Sequence, residues 1–229
     1  MNELVAKITS SIRVALKTQD ASESLEQPLY AVNWFDAHPK WLYNLYNSLA
    51  ARSVIKVGGK PLFKASVKKS LLSEDGKREI LLMVRYPDGH AFKKMMETTY
   101  FKLVSLLRIK AVKRFTFSFT KPYVDKGFDP AHDHYALHYF EGGDPTSLLK
   151  AMKNAIVGVE VLFVGKSFAH LYRREDGKED EVVKSMVECI IIYGSDSEER
   201  MADFLTSEEY LRFFNPEDRG YIASLNKIF

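Results

Sequence analysis

The chain writes one pattern twice. With Tyr30 laid on Tyr135, "YAVNWFD" matches "YALHYFE". Gly59-Lys60 then falls on Gly165-Lys166, and Glu74-Asp75-Gly76-Lys77 on Glu175-Asp176-Gly177-Lys178. "EILLMVRY" parallels "ECIIIYGS", and "TTYFKLVSLL" parallels "SEEYLRFFNP" with Tyr100 on Tyr210. The offset drifts from 105 to 101 to 110, so the copies differ by loop insertions and deletions. Matches that recur in one order constrain the fold more than any local signal does.

Each copy reads in the same element order. Residues 29–35 are rich in aromatic and β-branched types and read as a strand. Pro39 opens a helix with Trp41, Leu42, Leu45, Tyr46 and Leu49 at helical spacing. Residues 62–72 and 79–86 flank the Asp-Gly turn as a hairpin. "DGHAFKKMMETTYFKLVSLL" reads as a second helix. "VKRFTFSFT" is a last strand, with Phe115, Phe117 and Phe119 on one face. The second copy follows at 134–140, 145–156, 161–173, 184–193, 196–212 and 220–228. The prediction is an α+β chain of two tandem ferredoxin-like βαββαβ units, 29–121 and 134–229. Residues 122–133, with their Pro, Gly and Asp, read as a linker. Residues 1–28 read as an amphipathic helix, with a stripe of Leu4, Val5, Ile8, Ile12, Ala15 and Leu16, followed by a tether. Two helices cover only one face of a four-stranded sheet, so the other face requires water or a second sheet. The expectation is two sheets face to face, as an intramolecular α+β barrel.

This pattern resembles the dimeric α+β barrel superfamily. Within it, the chain is similar to small domains whose last helix carries a Ser-Pro-Glu-Tyr-like motif. "TSEEYL" (206–211) looks like that motif with Glu208 in place of Pro, and "METTYF" (96–101) is a degenerate version. The resemblance covers residues 29–120 and 134–229 and implies the fold. The superfamily holds cofactor-free monooxygenases, lactone isomerases and haem-dependent members, so activity does not follow from it.

Composition narrows the classes. No apolar run approaches the roughly 18 residues of a membrane helix, and charges break up the N-terminal segment, which therefore lacks the apolar centre of a secretion signal. The single Cys189, inside "ECIIIY", fits a buried thiol in a reducing compartment and a cytoplasmic protein. Residues 1–125 carry 21 Lys/Arg against 11 Asp/Glu, a balance of +10, whereas 126–229 carry 12 against 19, a balance of −7. Opposite fields of this kind favour pairing of the halves, within a monomer or in a further homodimer.

Asn33 and His138 occupy matching positions between aromatics, in "VNWF" and "LHYF". A polar group in mid-strand must be hydrogen-bonded or face a cavity. The functional reading is a pocket for a small, partly aromatic ligand, lined by Trp34, Phe35, Tyr139 and Phe140, with Asn33 orienting the ligand. His170, sharing strand parity with Phe168 and Tyr172, joins that set. Arg85, ending a strand in "VRYPDGH", is a candidate for holding a carboxylate beside a helix N-terminus. Binding is favoured; the alternative is an oxygenase- or isomerase-like enzyme with His138 as base. His132, His134 and His138 read as H-x-H-x3-H but lack a Cys or carboxylate cluster, so no metal and no other cofactor is expected. Residues 98–124 hold no acid, and the cations Lys102, Arg108, Lys110, Lys113, Arg114 and Lys121 are interleaved with Phe115, Phe117, Phe119 and Tyr123. This resembles a nucleic-acid footprint, but the third strand, "REILLMVRY", lacks the stacking aromatics of an RNA recognition module, which argues against nucleic acid.

Overall fold

The computed structural model describes residues 26–72, 78–128, 132–141, 145–151, 158–173, 179–180, 188–212 and 220–228. The predicted N-terminal helix and both Glu-Asp-Gly-Lys turns lie outside the described residues. The first half runs β1 (Leu29–Ala37), α1 (Lys40–Lys56), β2 (Lys60–Leu72), β3 (Ile80–Tyr86), α2 (Gly89–Glu97), α3 (Thr99–Ala111) and β4 (Val112–Asp125). The second runs β5 (His134–Glu141), α4 (Pro145–Ala151), β6 (Glu160–Arg173), β7 (Glu179–Asp180), β8 (Glu188–Ser195), α5 (Glu198–Thr206), α6 (Glu208–Arg212) and β9 (Gly220–Lys227). The class is mixed α+β with antiparallel strand pairs. β4 continues through Pro122 to Asp125, into the stretch read as a linker.

The helix predicted after β3 is two helices, and so is the one after β8. Thr98 ends α2 and caps α3: its hydroxyl donates to Met95 O at 2.8 Å and accepts from Phe101 N at 3.2 Å. Ser207 does the same between α5 and α6, donating to Phe204 O at 2.8 Å and accepting from Tyr210 N at 3.2 Å. A side-chain oxygen here satisfies an orphan N–H of the new helix. These caps correct the sequence alignment by one residue. Counting three residues on from each cap, the residue matching Tyr210 is the buried Phe101, not Tyr100, which is 44% exposed.

The chain divides into two compact units. Of the described residues, the first holds 26–62, 78–121 and the parts of 168–185. In it β1 lies between β3 and β4, antiparallel to both. Its odd residues Leu29, Ala31, Phe35 and Ala37 join a core with Tyr43 and Val54 of α1 and Phe101 and Val104 of α3. The even residues Tyr30, Val32 and Trp34 are buried on the opposite face. A strand covered on both sides reads as a near-continuous apolar run, as "LYAVNWFDA" does. The Phe stripe of β4 belongs to this core: Phe117 and Phe119 pack edge to face at 4.8 Å, and Phe92 of α2 meets Phe119 at 4.9 Å. Each such ring removes apolar area worth about 1.5–3 kcal/mol.

A bulge interrupts the β1–β4 ladder between Trp34 and Asp36. At it, Arg114 takes φ of +37°, a left-handed value costly for a residue with a Cβ. The buried Asp36 receives the Arg114 guanidinium in an ion pair and accepts Glu79 N at 2.9 Å.

In the second unit, β5 pairs with β8 and β9, β6 with β8, and β2 from Ala65 onward with β9. β2 has 13 residues, about 43 Å at strand rise, longer than the usual strand of about 17–20 Å. Cys189 to Tyr193 of β8 are fully buried, which places Cys189 in the core. Gly194 is required where His132 passes: a Cβ there would lie 2.6 Å from Leu162 and 2.9 Å from the His132 ring.

Candidate functional site

Of the nine residues of β1, eight are buried and Asn33 is not. Asn33 sits at the strand's centre, opposite Leu82 of β3 and Phe117 of β4, on the face that turns toward the helices. Leu82 and Ile80 on the same face are also only partly buried, as are Leu42 and Tyr46 of α1, which pack on this core. Space that admits water therefore adjoins the middle of the sheet at Asn33.

Arg108 of α3 reaches the same place. Its Nη2 donates to Asn33 Oδ1 at 3.2 Å, and its guanidinium carbon lies 4.1 Å from the centre of the Phe115 ring. A guanidinium only donates, so the amide oxygen must face Arg108. Asn33 Nδ2 then points to Ala31 O and Leu82 O, both at 3.4 Å, the long end of a hydrogen bond. Among the described residues no carboxylate pairs with Arg108. A partly buried cation with spare donors is suited to an anionic or carbonyl oxygen.

Two buried phenols flank this group. Burial pushes the Tyr43 and Tyr86 hydroxyls up from their ordinary range, nearby Tyr46 adds to the rise, and the Arg108 charge opposes it. Both stay protonated at neutral pH. Tyr86 donates to Met95 Sδ at 3.8 Å, and the Tyr43 and Tyr46 rings are 6.3 Å apart. The wall is thus apolar and aromatic, with an amide and a guanidinium as its convergent polar groups.

The other residues singled out from the sequence fall in several places. Phe35 shares the Asn33 face and packs 5.1 Å from Tyr43. Trp34, one residue earlier, is buried on the opposite face. Arg85 lies across from Tyr30, on the face away from Asn33; it is exposed, with its guanidinium 6.0 Å from the Tyr30 ring. The helix N-terminus near it is capped by Asp88, which accepts Ala91 N at 2.6 Å, so a carboxylate of the chain already sits where an anion was expected.

His138 belongs to the second unit. It lies opposite Ile191 and Ile222 and is 1% exposed, with the Phe140 ring at 4.8 Å and the Tyr210 ring at 5.8 Å. Tyr193 joins them, 6.1 Å from Tyr210. Burial lowers the His138 pKa to about 3, so the imidazole is neutral and its protonated form disfavoured. Tyr139 is half-buried on the opposite face of β5. His170 is on β6, and its side chain lies outside the described residues. His132 meets Glu160 at 3.3 Å rather than the other histidines, and among the described residues no three His, Cys, Asp or Glu converge as metal ligands. The Phe rings of the basic band are buried. No described helix is long and apolar enough to cross a membrane.

Arg108 and Tyr46 did not stand out in the sequence as site residues. Arg108 was one cation of the basic band, 75 residues from the amide it contacts.

No family model matches the chain, and no curated protein matches it in sequence. Solved structures do match. A Fusobacterium nucleatum protein proposed to be a monooxygenase superposes with a TM-score of 0.53 at 11% identity, over 89% of this chain and 93% of its own. An anthrone oxidase-like protein also gives 0.53, at 10% identity, over 89% and 92%. Both belong to the dimeric α+β barrel superfamily, and theirs is the fold of this chain.

Proposed function

We propose that the first unit binds a small, partly aromatic molecule carrying an anionic or carbonyl oxygen, against Asn33 and beneath α1 and α3. The observation that carries this is the Asn33–Arg108 pair: the partly open point of a buried strand, met by a cation that no carboxylate pairs among the described residues. Arg108 supplies charge-assisted donors to the oxygen, Asn33 fixes its direction, and Tyr46, Leu82 and Ile80 contact the ring. The test is calorimetric titration of the purified chain with 2-naphthoate and with the uncharged 2-naphthylmethanol. The carboxylate should bind more tightly, and Arg108→Gln should weaken it by about 10–100-fold, the worth of a hydrogen bond to a charged group. Equal affinity for both probes, or an affinity unchanged in Arg108→Gln, would overturn the reading.

A second reading is an oxygenase- or isomerase-like enzyme, motivated by the names of the two similar proteins. With anthrone as probe the balanced reaction is anthrone plus dioxygen giving anthraquinone plus water. In this reading His138 of the second unit takes the proton. The enclosure of His138 weighs against it, because a general base must reach its substrate and hold the proton. Oxygen uptake and anthraquinone absorbance, compared between the natural chain and His138→Gln, decide the matter. Turnover lost in His138→Gln with the fold intact would favour the enzyme; no turnover, or turnover unchanged in the variant, removes His138 from the chemistry.

We further read the chain as two tandem ferredoxin-like units. Supporting this, the first strand of each half lies between two later strands of its own half, β1 between β3 and β4 and β5 between β8 and β9.

A further inference from the structure

The outer surface of the first unit's helices is apolar where it should be polar. Trp41, Leu45 and Ile55 of α1 and Tyr100 and Leu103 of α3 are 44–67% exposed. They are not scattered. Trp41, Leu45, Ser48, Arg52 and Ile55 follow one another at spacings of four and three, a straight stripe along a helix. Tyr100 and Leu103 extend it onto α3, whose Tyr100 hydroxyl donates to Leu49 O of α1 at 3.3 Å. A stripe of this kind marks a contact surface. It is also set among cations. Arg52 lies inside the stripe, Lys56 follows Ile55, and Lys110 continues the line of Leu103 and Leu107 along α3. α1 carries three Lys or Arg, α2 two and α3 three, against one acid, Glu97.

Charge and shape together select the partner. Two copies meeting through this same face would oppose like charges, which disfavours a self-pair. A copy presenting its acidic helices matches the charge but not the apolar area. α5 and α6 expose Glu198, Glu199, Asp203, Glu208 and Glu209, while Leu211 is their one exposed large apolar side chain among the described residues. A helix from a partner protein docks in a groove. Tyr100 closes the seam between α1 and α3, because its ring spans from one helix to a carbonyl of the other. An anionic lipid surface requires neither a groove nor matching apolar side chains. It takes in Leu and Ile as they stand, receives Trp and Tyr rings at the headgroup level, and attracts the charged ends of Lys and Arg, whose stems lie along apolar surface.

We propose that the α1 and α3 face of the first unit is a peripheral contact for an anionic lipid surface. Trp41, Leu45, Ile55, Tyr100 and Leu103 enter the boundary between headgroups and acyl chains, and Arg52, Lys56 and Lys110 lie on the headgroups. Neither part suffices alone. A few side chains on folded helices insert only shallowly, and the attraction of the cations falls off within a Debye length, ~10 Å at 0.1 M salt. The contact therefore distinguishes membranes by their charge. It is independent of ligand binding at Asn33.

The test is co-sedimentation of the full chain with phosphatidylcholine vesicles, with and without about a third phosphatidylserine, beside tryptophan emission. Trp34 is buried and Trp41 is 67% exposed, so a blue shift on adding vesicles reports Trp41. Binding to the phosphatidylserine vesicles should be at least about tenfold tighter than to phosphatidylcholine alone, and should weaken by about tenfold or more between about 0.1 and 0.5 M salt. Leu45→Asp/Leu103→Asp and Arg52→Glu/Lys110→Glu should each lose at least about tenfold in binding, and the blue shift with it. All four residues are exposed, and circular dichroism with urea midpoints checks that each variant keeps its fold. No binding to phosphatidylserine vesicles overturns the proposal, and so does equal binding to the two kinds of vesicle. Binding that survives Leu45→Asp/Leu103→Asp does so too, since another part of the chain would then hold the lipid. A lipid-free dimer that Leu45→Asp/Leu103→Asp dissociates in sedimentation velocity would also overturn it and assign the face to a second copy.

Discussion

Arg108 Nη2 lies 3.2 Å from Asn33 Oδ1, joining a helix to the centre of the strand beneath it across 75 residues of sequence. The pair is partly open to water, so its contribution to stability and to binding should separate. Arg108→Gln should cost about 1 kcal/mol of stability or less, because water can replace the lost bond and the cation–π contact to Phe115 is modest. The same change should cost 10–100-fold in 2-naphthoate affinity. Urea unfolding beside the calorimetric titration checks both, and a large stability loss with unchanged affinity would make Arg108 a structural residue.

His138 makes the fold sensitive to acid. Its folded pKa is lowered to about 3 by burial, whereas the unfolded chain takes up a proton near 6.5. Between these values the unfolded state binds more protons, so stability falls as pH drops through that window, by up to ~1.4 kcal/mol per pH unit from this one group. Above pH 6.5 the group contributes no slope. Urea midpoints from pH 7 to 4 should fall less steeply in His138→Gln than in the natural chain. Parallel slopes would show that the ring is not kept neutral.

The bulge at Arg114 combines an unfavourable backbone with a favourable ion pair to Asp36. Arg114→Ala loses the pair and keeps a Cβ at positive φ; Arg114→Gly loses the pair and relieves the backbone. Glycine should therefore be the more stable of the two by about 1 kcal/mol. Asp36→Ala should be worse than either, because it also strands the Glu79 N–H that Asp36 accepts at 2.9 Å. Thermal unfolding of the three variants gives the order.

Thr98 and Ser207 each cap a helix whose first turn follows directly. Thr98→Ala and Ser207→Ala should each destabilise by about 1 kcal/mol, and Thr98→Ser by much less. Equal losses for Thr98→Ala and Thr98→Ser would trace the effect to the methyl group instead of the hydroxyl.

The strands and the core of the first unit were legible because burial on both faces leaves an unmistakable apolar run, as in β1, and because the Phe115, Phe117, Phe119 alternation has strand period. Thr98 and Ser207 were hidden by the same kind of signal: the apolar pattern runs on at helical spacing through both, while a single hydroxyl turns the axis. Ser207 followed by Glu208 and Glu209 does spell a helix start, since acids favour a first turn. At the candidate site, Asn33 was legible as a polar residue out of place in a strand. Arg108 was not, because which cation of a basic band meets that amide depends on how α3 packs over the sheet, and no local spacing encodes it. The separation of Trp34 from Phe35 follows from the strand's alternation, which sends neighbours to opposite faces.

The burial of β1 around Asn33 has a consequence for how a guest would be received. The amide is carried by a backbone bonded on both edges and walled by core on both faces, so its place is set before anything arrives. A ligand meeting it would pay little to order the protein on that side. Arg108 has freedom the strand lacks: its side chain rests on one ring and one amide oxygen. A site built from a fixed floor and an adjustable clasp would tolerate variation in the part of the guest beneath α3 while remaining strict about the atom set against Asn33.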